Sequence, residues 1–224
     1  RAWGRRARHQ CRRCRRRDLV KVRLLATVLL LLGCAGHASG QSGERTRPLP
    51  PGFGSLTQND LSLRMQNDEL EIRFIPLDPR VLPLLARDAY QSFRTLVETN
   101  RRGIDSVASA AGVAQPGLAL VSFFGRRSDV RFDPQTLTVL VRNRVFRPLG
   151  TIPLTPRFTS GQLGVRDQVS AIYVFEEELP VDDSFTVSYA NLASDDWQSR
   201  QQLLNRERAR VSARSRGVGA DTAR

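Results

Sequence analysis

The chain has 224 residues and a formal net charge of +13, and all of its Cys, His and Lys residues lie within the first 37 positions. The rest of the chain therefore has no side chains for Ser-His-Asp or Cys-His catalysis, Schiff-base chemistry or His-ligated transition metals. Residues 48–197 sum to −3, because the positive charge lies in the two ends of the chain. Without a gathered basic surface, nucleic-acid binding by this central part is not expected.

Residues 1–19 are an Arg-rich leader, RAWGRRARHQCRRCRRRDL, with nine Arg and one Asp. This segment is longer and more basic than the n-region of an export signal needs to be. We therefore expect it to be a non-native extension upstream of a start at Val20. A twin-arginine export signal at Arg15–Val20, RRRDLV, is the alternative, although the match to that motif is partial. Cys11 and Cys14 have CxxC spacing, but no second pair accompanies them, so no metal site is expected.

The segment Val20–Gln41, VKVRLLATVLLLLGCAGHASGQ, contains the three parts of a secretory signal peptide in order. Lys21 and Arg23 supply a positive n-region, residues 24–32 supply an apolar h-region, and small residues follow. The h-region has nine residues, whereas a helix needs about 20 to span a bilayer. The pattern predicts export and cleavage rather than a membrane span.

The four residues Leu31–Cys34, LLGC, resemble the lipobox of bacterial lipoproteins. The resemblance implies that residues 20–34 act as a lipoprotein signal peptide and that Cys34 is lipidated on its sulfur and becomes the new N-terminus. Because neither residue after Cys34 is acidic, it also implies an outer-membrane or periplasm-facing location in a cell with two membranes. Ordinary signal peptidase, cutting before Ser39 or Gln41, is the alternative and would extend the signal peptide as far as residue 40.

Residues 35–55, AGHASGQSGERTRPLPPGFGS, are rich in Gly, Ser and Pro. This composition is typical of an extended tether, with a stiffer polyproline-like end at PLPP. A tether of this kind suits a domain that is held at a membrane. We expect the globular domain itself to span residues 56–197.

The globular domain opens with two segments, 61–65 and 69–75, in which apolar and polar residues alternate. This period of two predicts two half-buried strands joined by a tight turn. Apolar residues then recur at steps of three and four, which predicts an amphipathic helix with Asp78 as its N-cap. A second helix follows and ends at Gly112. Together they predict a helical insertion at about 79–112.

After the helices, the sequence returns to period two and short apolar runs separated by turn residues. This rhythm is typical of an antiparallel sandwich or barrel. Because the helices come as one block between strands, we expect the α+β class, dominated by β structure: an immunoglobulin-like antiparallel β-sandwich with a helical insertion. The clearest of the later strands are 118–124, 136–141, 169–175 and 184–189.

Paired acids stand in loops near the predicted strand ends: Asp182 with Asp183, and Asp195 with Asp196, which Trp197 follows. Such carboxylates suit a calcium site, which needs six to eight oxygen ligands. They also suit a sugar site in which Trp197 is the stacking platform. The plainer interpretation is a set of solvated turn acids that protect sheet edges from aggregation. No metal ligand set and no cofactor is predicted from them.

The segment 198–224 carries a net charge of +5 and few large apolar residues. It is predicted to be a frayed helix followed by disorder, so its removal should scarcely change the melting temperature. Its charge predicts attraction to anionic lipid headgroups, lipopolysaccharide or acidic glycan. A merely solubilising tail is the alternative.

These features favour an exported, membrane-tethered envelope protein with a non-enzymatic binding or structural role. The expected partners are membrane lipid, through Cys34, and another envelope protein or a glycan, with no nucleic acid. The alternative function is a carboxylate-dependent glycoside hydrolase that acts on envelope or external polysaccharide. Two acids facing each other across a cleft at roughly 5–9 Å would favour the hydrolase.

Overall fold

The computed structural model describes residues 49–221 of the chain, with side chains as far as Arg216. The predicted leader, the signal peptide, Cys34 and most of the tether lie outside the described residues. The body is a β-dominated α+β structure with antiparallel sheets and a block of helices between strands, as predicted. The helices α2 and α3 occupy the position of the expected insertion.

The elements of the described residues, in chain order, are α1 (Gln58–Leu61), β1 (Leu63–Gln66), β2 (Leu70–Pro76), a 3₁₀ turn (Leu82–Leu84), α2 (Arg87–Thr99), α3 (Arg101–Ala110), β3 (Gly117–Gly125), β4 (Val130–Arg131), a 3₁₀ turn (Pro134–Thr136), β5 (Leu137–Val141), β6 (Arg144–Phe146), β7 (Pro148–Pro153), a 3₁₀ turn (Pro156–Ser160), β8 (Gln162–Leu163), β9 (Gln168–Phe175), β10 (Thr186–Tyr189), β11 (Leu192–Ser194) and α4 (Trp197–Asp221).

The body is built mainly from two β-sheets. The larger has the strand order β1-β2-β3-β9-β7, and the smaller has the order β11-β10-β5-β6. Strands β4 and β8 form a separate two-stranded ribbon, and neighbouring strands in all three sheets are antiparallel. Pro148 and Pro153 lie on β7, an end strand. Proline is tolerated at an edge because its missing N–H breaks no interior hydrogen bond.

The core lies between the two sheets, because each sheet turns alternate apolar side chains towards the other. Phe123 on β3 meets Tyr189 on β10 at a ring-centroid distance of 5.6 Å. Phe74 on β2 meets Phe185, which directly precedes β10, at 6.3 Å. All four side chains are buried, so the period-two pattern of the sequence becomes the interface between the sheets.

The helix α3 covers β7 and β9 on the larger sheet and buries Ile104 and Ala108. A Cβ on Gly150 of β7 would come within 2.9 Å of the Val107 side chain, so a larger residue would force α3 away from the strand. The first helix of the predicted insertion, α2, begins later than the sequence pattern indicated. Asp78 is not an N-cap, since residues 82–84 form a 3₁₀ turn and α2 starts at Arg87.

The C-terminal segment is helical from Trp197 to Asp221, so the predicted helix is present. It packs on the body as far as Val211, so the expectation that this segment is frayed and adds little to the core is wrong. Trp197, Leu204 and Val211 are each fully buried. They recur every seven residues, which places them on one side of α4. The segment 198–224 taken alone has few apolar residues, because Trp197, the first member of this repeat, lies just before it. Within the part of the chain that the structure describes, no helix is both long enough and apolar enough to cross a membrane.

Candidate functional site

Asp182, the first of the predicted site acids, lies between two arginines. Its carboxylate accepts hydrogen bonds from Arg80, at 3.2 Å, and from Arg208 on α4, at 2.6 Å. Arg80 also makes a two-point ion pair with Asp78, whose side chain is 4 % exposed, at 2.8 and 2.7 Å. This hydrogen bonding raises the pKa of the Arg80 guanidinium above its ordinary value. The two arginine side chains neutralise the carboxylates of Asp182 and Asp78, which a calcium site would need as ligands.

The other paired acids occupy separate positions. Asp183 faces Arg142 at 3.5 Å. Asp195 and Asp196 stand just before α4, where their backbone carbonyls accept the N–H groups of Gln198 and Arg200. Their carboxylates are exposed. Among residues 49–216, the acids form no group of three or more suited to holding a metal ion. The positions of Asp195 and Asp196 match the solvated turn acids that were one interpretation of the sequence.

Trp197 belongs to the core, so the prediction of a sugar-stacking platform at this residue is wrong. Its ring is fully buried and stacks on Phe185 with centroids 5.0 Å apart. Its indole Nε1–H donates to the Val181 carbonyl at 3.1 Å. A ligand platform needs an exposed ring face. Trp197 is instead the first residue of α4, and its ring is packed in the core.

A set of polar contacts, not predicted from the sequence, fastens α4 to the N-terminal part of the body. Arg200 donates to the carbonyls of Asn59 and Asp60 at the end of α1, at 2.9 and 2.7 Å. Glu207, only 6 % exposed, accepts the backbone N–H of Ser55. The spacing of these two residues could have indicated their position. Arg200 lies three residues after Trp197, and Glu207 lies three residues after Leu204, so both lie on the side of the helix that faces the body.

The outer face of the smaller sheet carries two exposed aliphatic residues, and we call it the outer sheet face. It consists of side chains that alternate with buried core residues, so they point away from the larger sheet. Leu140 is 39 % exposed and stands opposite Val145, which is 49 % exposed, and opposite Thr186. The Thr138 and Ser188 hydroxyls hydrogen-bond each other at 2.9 Å. The members of this face are Thr138, Leu140, Val145, Thr186, Ser188 and Ala193.

A shallow groove of about 190 Å³ adjoins this face and shares Leu140 and Thr186 with it. Arg142 and Asp195 supply one charge of each sign at its wall. Aliphatic side chains, hydroxyls and opposite charges can together contact a peptide or a sugar ring. The rest of the groove wall comes from Ser184, Phe185 and Gln198.

No protein-family model, no curated protein and no solved structure matches this chain.

Proposed function

We propose that the protein is an exported envelope protein without enzymatic activity, held at a membrane by a lipid on Cys34. Its β-rich body binds another envelope protein or a glycan through the outer sheet face. The observation that carries the binding role is the exposure of Leu140 and Val145 side by side on a sheet whose other face is core. A contiguous exposed apolar patch favours an interaction site, whereas apolar residues scattered singly over a surface do not.

The glycoside hydrolase is the less favoured alternative. Its chemistry needs two carboxylates facing a shared sugar, one of them an acid and the other a base or nucleophile. Asp182 instead faces two guanidinium groups, and Trp197 offers no open ring face. Asp182 and Asp183 are held in ion pairs with arginines, which favours a role in stability over one in hydrolysis for these two acids.

The binding role is tested by replacing one valine on the face and one elsewhere. We expect Val145→Glu to prevent capture of the partner in a crosslinking pull-down from membrane extract. Val165→Glu is the matched control, because Val165 is 55 % exposed but lies outside the outer sheet face. Both variants should melt as the parent protein does. Equal loss of capture in the two variants, or loss in neither, would refute the outer sheet face as the binding site.

The anchor is tested by Cys34→Ala in the full chain. Without the thiol no lipid can be attached, so the protein should move from the membrane fraction to the soluble fraction. Metabolic labelling with a fatty acid should mark the parent chain and not the variant. A parent protein whose N-terminus is Ser39 or Gln41 would contradict the anchor and favour ordinary signal peptidase.

We also propose that the two packed sheets are a variant of the immunoglobulin-like sandwich. Face-to-face packing of two antiparallel sheets supports this assignment. The helical block between β2 and β3 and the position of Trp197 on α4 depart from that pattern. An experimental structure, superposed strand by strand on immunoglobulin domains, tests the assignment.

A further inference from the structure

The chain enters the body beside two arginine-bearing helices. Residues 51–53 form one wall of a groove of about 380 Å³ whose other wall is a face of α2 that carries Arg87, Tyr90 and Arg94. Ser55, two residues further on, contacts Glu207 and Arg210 on α4. The point at which the predicted tether would reach the body therefore has arginines of both helices beside it.

The arginines on α4 form a row. Arg206, Arg210 and Arg214 are spaced four residues apart, so they lie along one side of the helix. This is the side that meets Ser55, because Arg210 contacts that residue. Arg206 and Arg214 are exposed, and neither makes an ion pair with another described residue. The same is true of Arg87 on α2.

We name this surface the basic collar; its members are Arg87, Arg94, Arg206, Arg210 and Arg214. Two carboxylates offset part of its charge: Glu98, which pairs with Arg94, and Glu207, which pairs with Arg210. The net charge of the group is +3, whereas the other residues of 48–216 sum to −1. The net positive charge of this part of the chain therefore lies in the group beside the chain entry.

We propose that the basic collar docks on the anionic phospholipid headgroups of the membrane to which the protein is tethered, and so orients the body. This inference rests on the lipid anchor of the proposed function. Between Cys34 and Leu49 there are 14 residues, which the Gly/Ser/Pro-rich composition predicts to be a tether, and a predicted tether of that length is expected to span about 20 Å. Such a tether keeps the collar near the surface, where weak electrostatic attraction suffices.

The test uses the chain without its leader, residues 35–224, so that the result does not depend on lipidation. Among the described residues, the buried apolar core lies between Leu56 and Val211, all of which this piece retains. Binding is measured by sedimentation with vesicles of phosphatidylcholine, alone or mixed with phosphatidylglycerol. We expect binding to the anionic vesicles only, and its loss when salt is raised from about 0.05 M to about 0.5 M, as screening requires.

The decisive variant is Arg87→Gln/Arg206→Gln/Arg214→Gln, which removes the three collar arginines that have no ion pair. Because each basic residue near an anionic surface contributes on the order of a fivefold change in affinity, we expect vesicle binding to fall about 100-fold. The matched control is Arg127→Gln/Arg131→Gln/Arg147→Gln, which removes the same charge from exposed positions that lie on neither α2 nor α4. It should retain most of the binding.

Three results would overturn the proposal: no binding of the parent chain to anionic vesicles at low salt, equal losses in the two triple variants, or binding to lipopolysaccharide alone. The second result would show that net charge, not the collar, attracts the protein. Failure of the Cys34→Ala test with success here would instead refute the anchor and leave the collar in place. Thermal melting of both triple variants confirms that they fold.

Discussion

The carboxylate of Glu207 on α4 accepts hydrogen bonds from the backbone N–H of Ser55 at 2.7 Å and from its hydroxyl at 3.2 Å. The two residues are 152 positions apart in the chain. The contact joins the start of the body to its last helix. The Glu207 side chain in this contact is almost fully buried. The C-terminal helix is therefore part of the folding unit.

Glu207→Ala should lower the free energy of unfolding by about 2–3 kcal/mol, because a hydrogen-bonded N–H and the nearby Arg210 lose their acceptor. Urea denaturation measures the change. The control is Glu98→Ala, which removes a carboxylate that is 60 % exposed and paired with Arg94, and it should cost less than about 0.5 kcal/mol. Equal effects would show that the Ser55 contact contributes nothing.

Leu204→Ala should destabilise the body by about 2–5 kcal/mol, since it leaves a cavity beneath a fully buried position. Leu203→Ala, one residue earlier and only partly buried, should cost clearly less. Deleting residues 198–224 should lower the melting temperature strongly, in contrast to the expectation from the sequence. Calorimetry of the three variants checks this order, and an unaffected deletion variant would contradict the packing of α4.

Tyr173→Phe should leave the free energy of unfolding unchanged or raise it by about 1 kcal/mol. The Tyr173 hydroxyl is buried and has no hydrogen-bond partner among the described residues, so its removal relieves an unsatisfied polar group. Tyr189→Phe should act in the opposite direction and cost about 1 kcal/mol, because the Tyr189 oxygen accepts the Asp133 N–H at 2.9 Å. Chemical denaturation compares the two substitutions.

The stability of the body should fall as the pH rises above about 10. Burial raises the pKa of Tyr173 and of Tyr189 above the ordinary tyrosine value. In this range the unfolded chain loses these protons and the folded chain keeps them, so deprotonation favours the unfolded state. Tyr173→Phe should make the fall between pH 10 and 12 less steep. Denaturation midpoints of parent and variant across this range measure the difference.

Arg80→Ala should cost about 3–5 kcal/mol, because it leaves the buried Asp78 carboxylate without its ion-pair partner. Arg101→Ala breaks a pair in which both side chains are more than half exposed and should change stability by less than about 0.5 kcal/mol. Thermal denaturation of the two variants provides the comparison. A small effect at Arg80 would indicate that water reaches Asp78 when the guanidinium is removed.

Much of the fold could be predicted from local pattern. The alternation of apolar residues in β2, β3, β9 and β10 is visible in the sequence, because a strand that lies on a core repeats its buried side chains every second residue. The end of α3 was likewise predicted from Gly112, which adopts a positive φ of 70°. These features depend on neighbours in the chain, and one sequence suffices to recognise them.

The candidate site depended on residues that are distant in the sequence. Calcium binding was one of the interpretations that the sequence allowed for Asp182, whereas its carboxylate contacts Arg80 and Arg208, which lie 102 and 26 positions away. A ligand platform was one interpretation of Trp197, whereas its ring stacks on Phe185. The sequence next to an Asp or a Trp does not reveal whether the side chain contacts solvent, a ligand or the core.

The sequence by itself therefore determined the β-dominated class, the position of the helical block and the absence of His, Lys and Cys after residue 37. Only the tertiary structure decided that α4 packs on the body through Trp197, Leu204 and Val211, and that arginines of α2 and α4 lie beside the chain entry. The physical reason is that α4 contributes few apolar side chains of its own. Its packing depends on Trp197, Arg200 and Glu207 meeting partners up to 152 residues away.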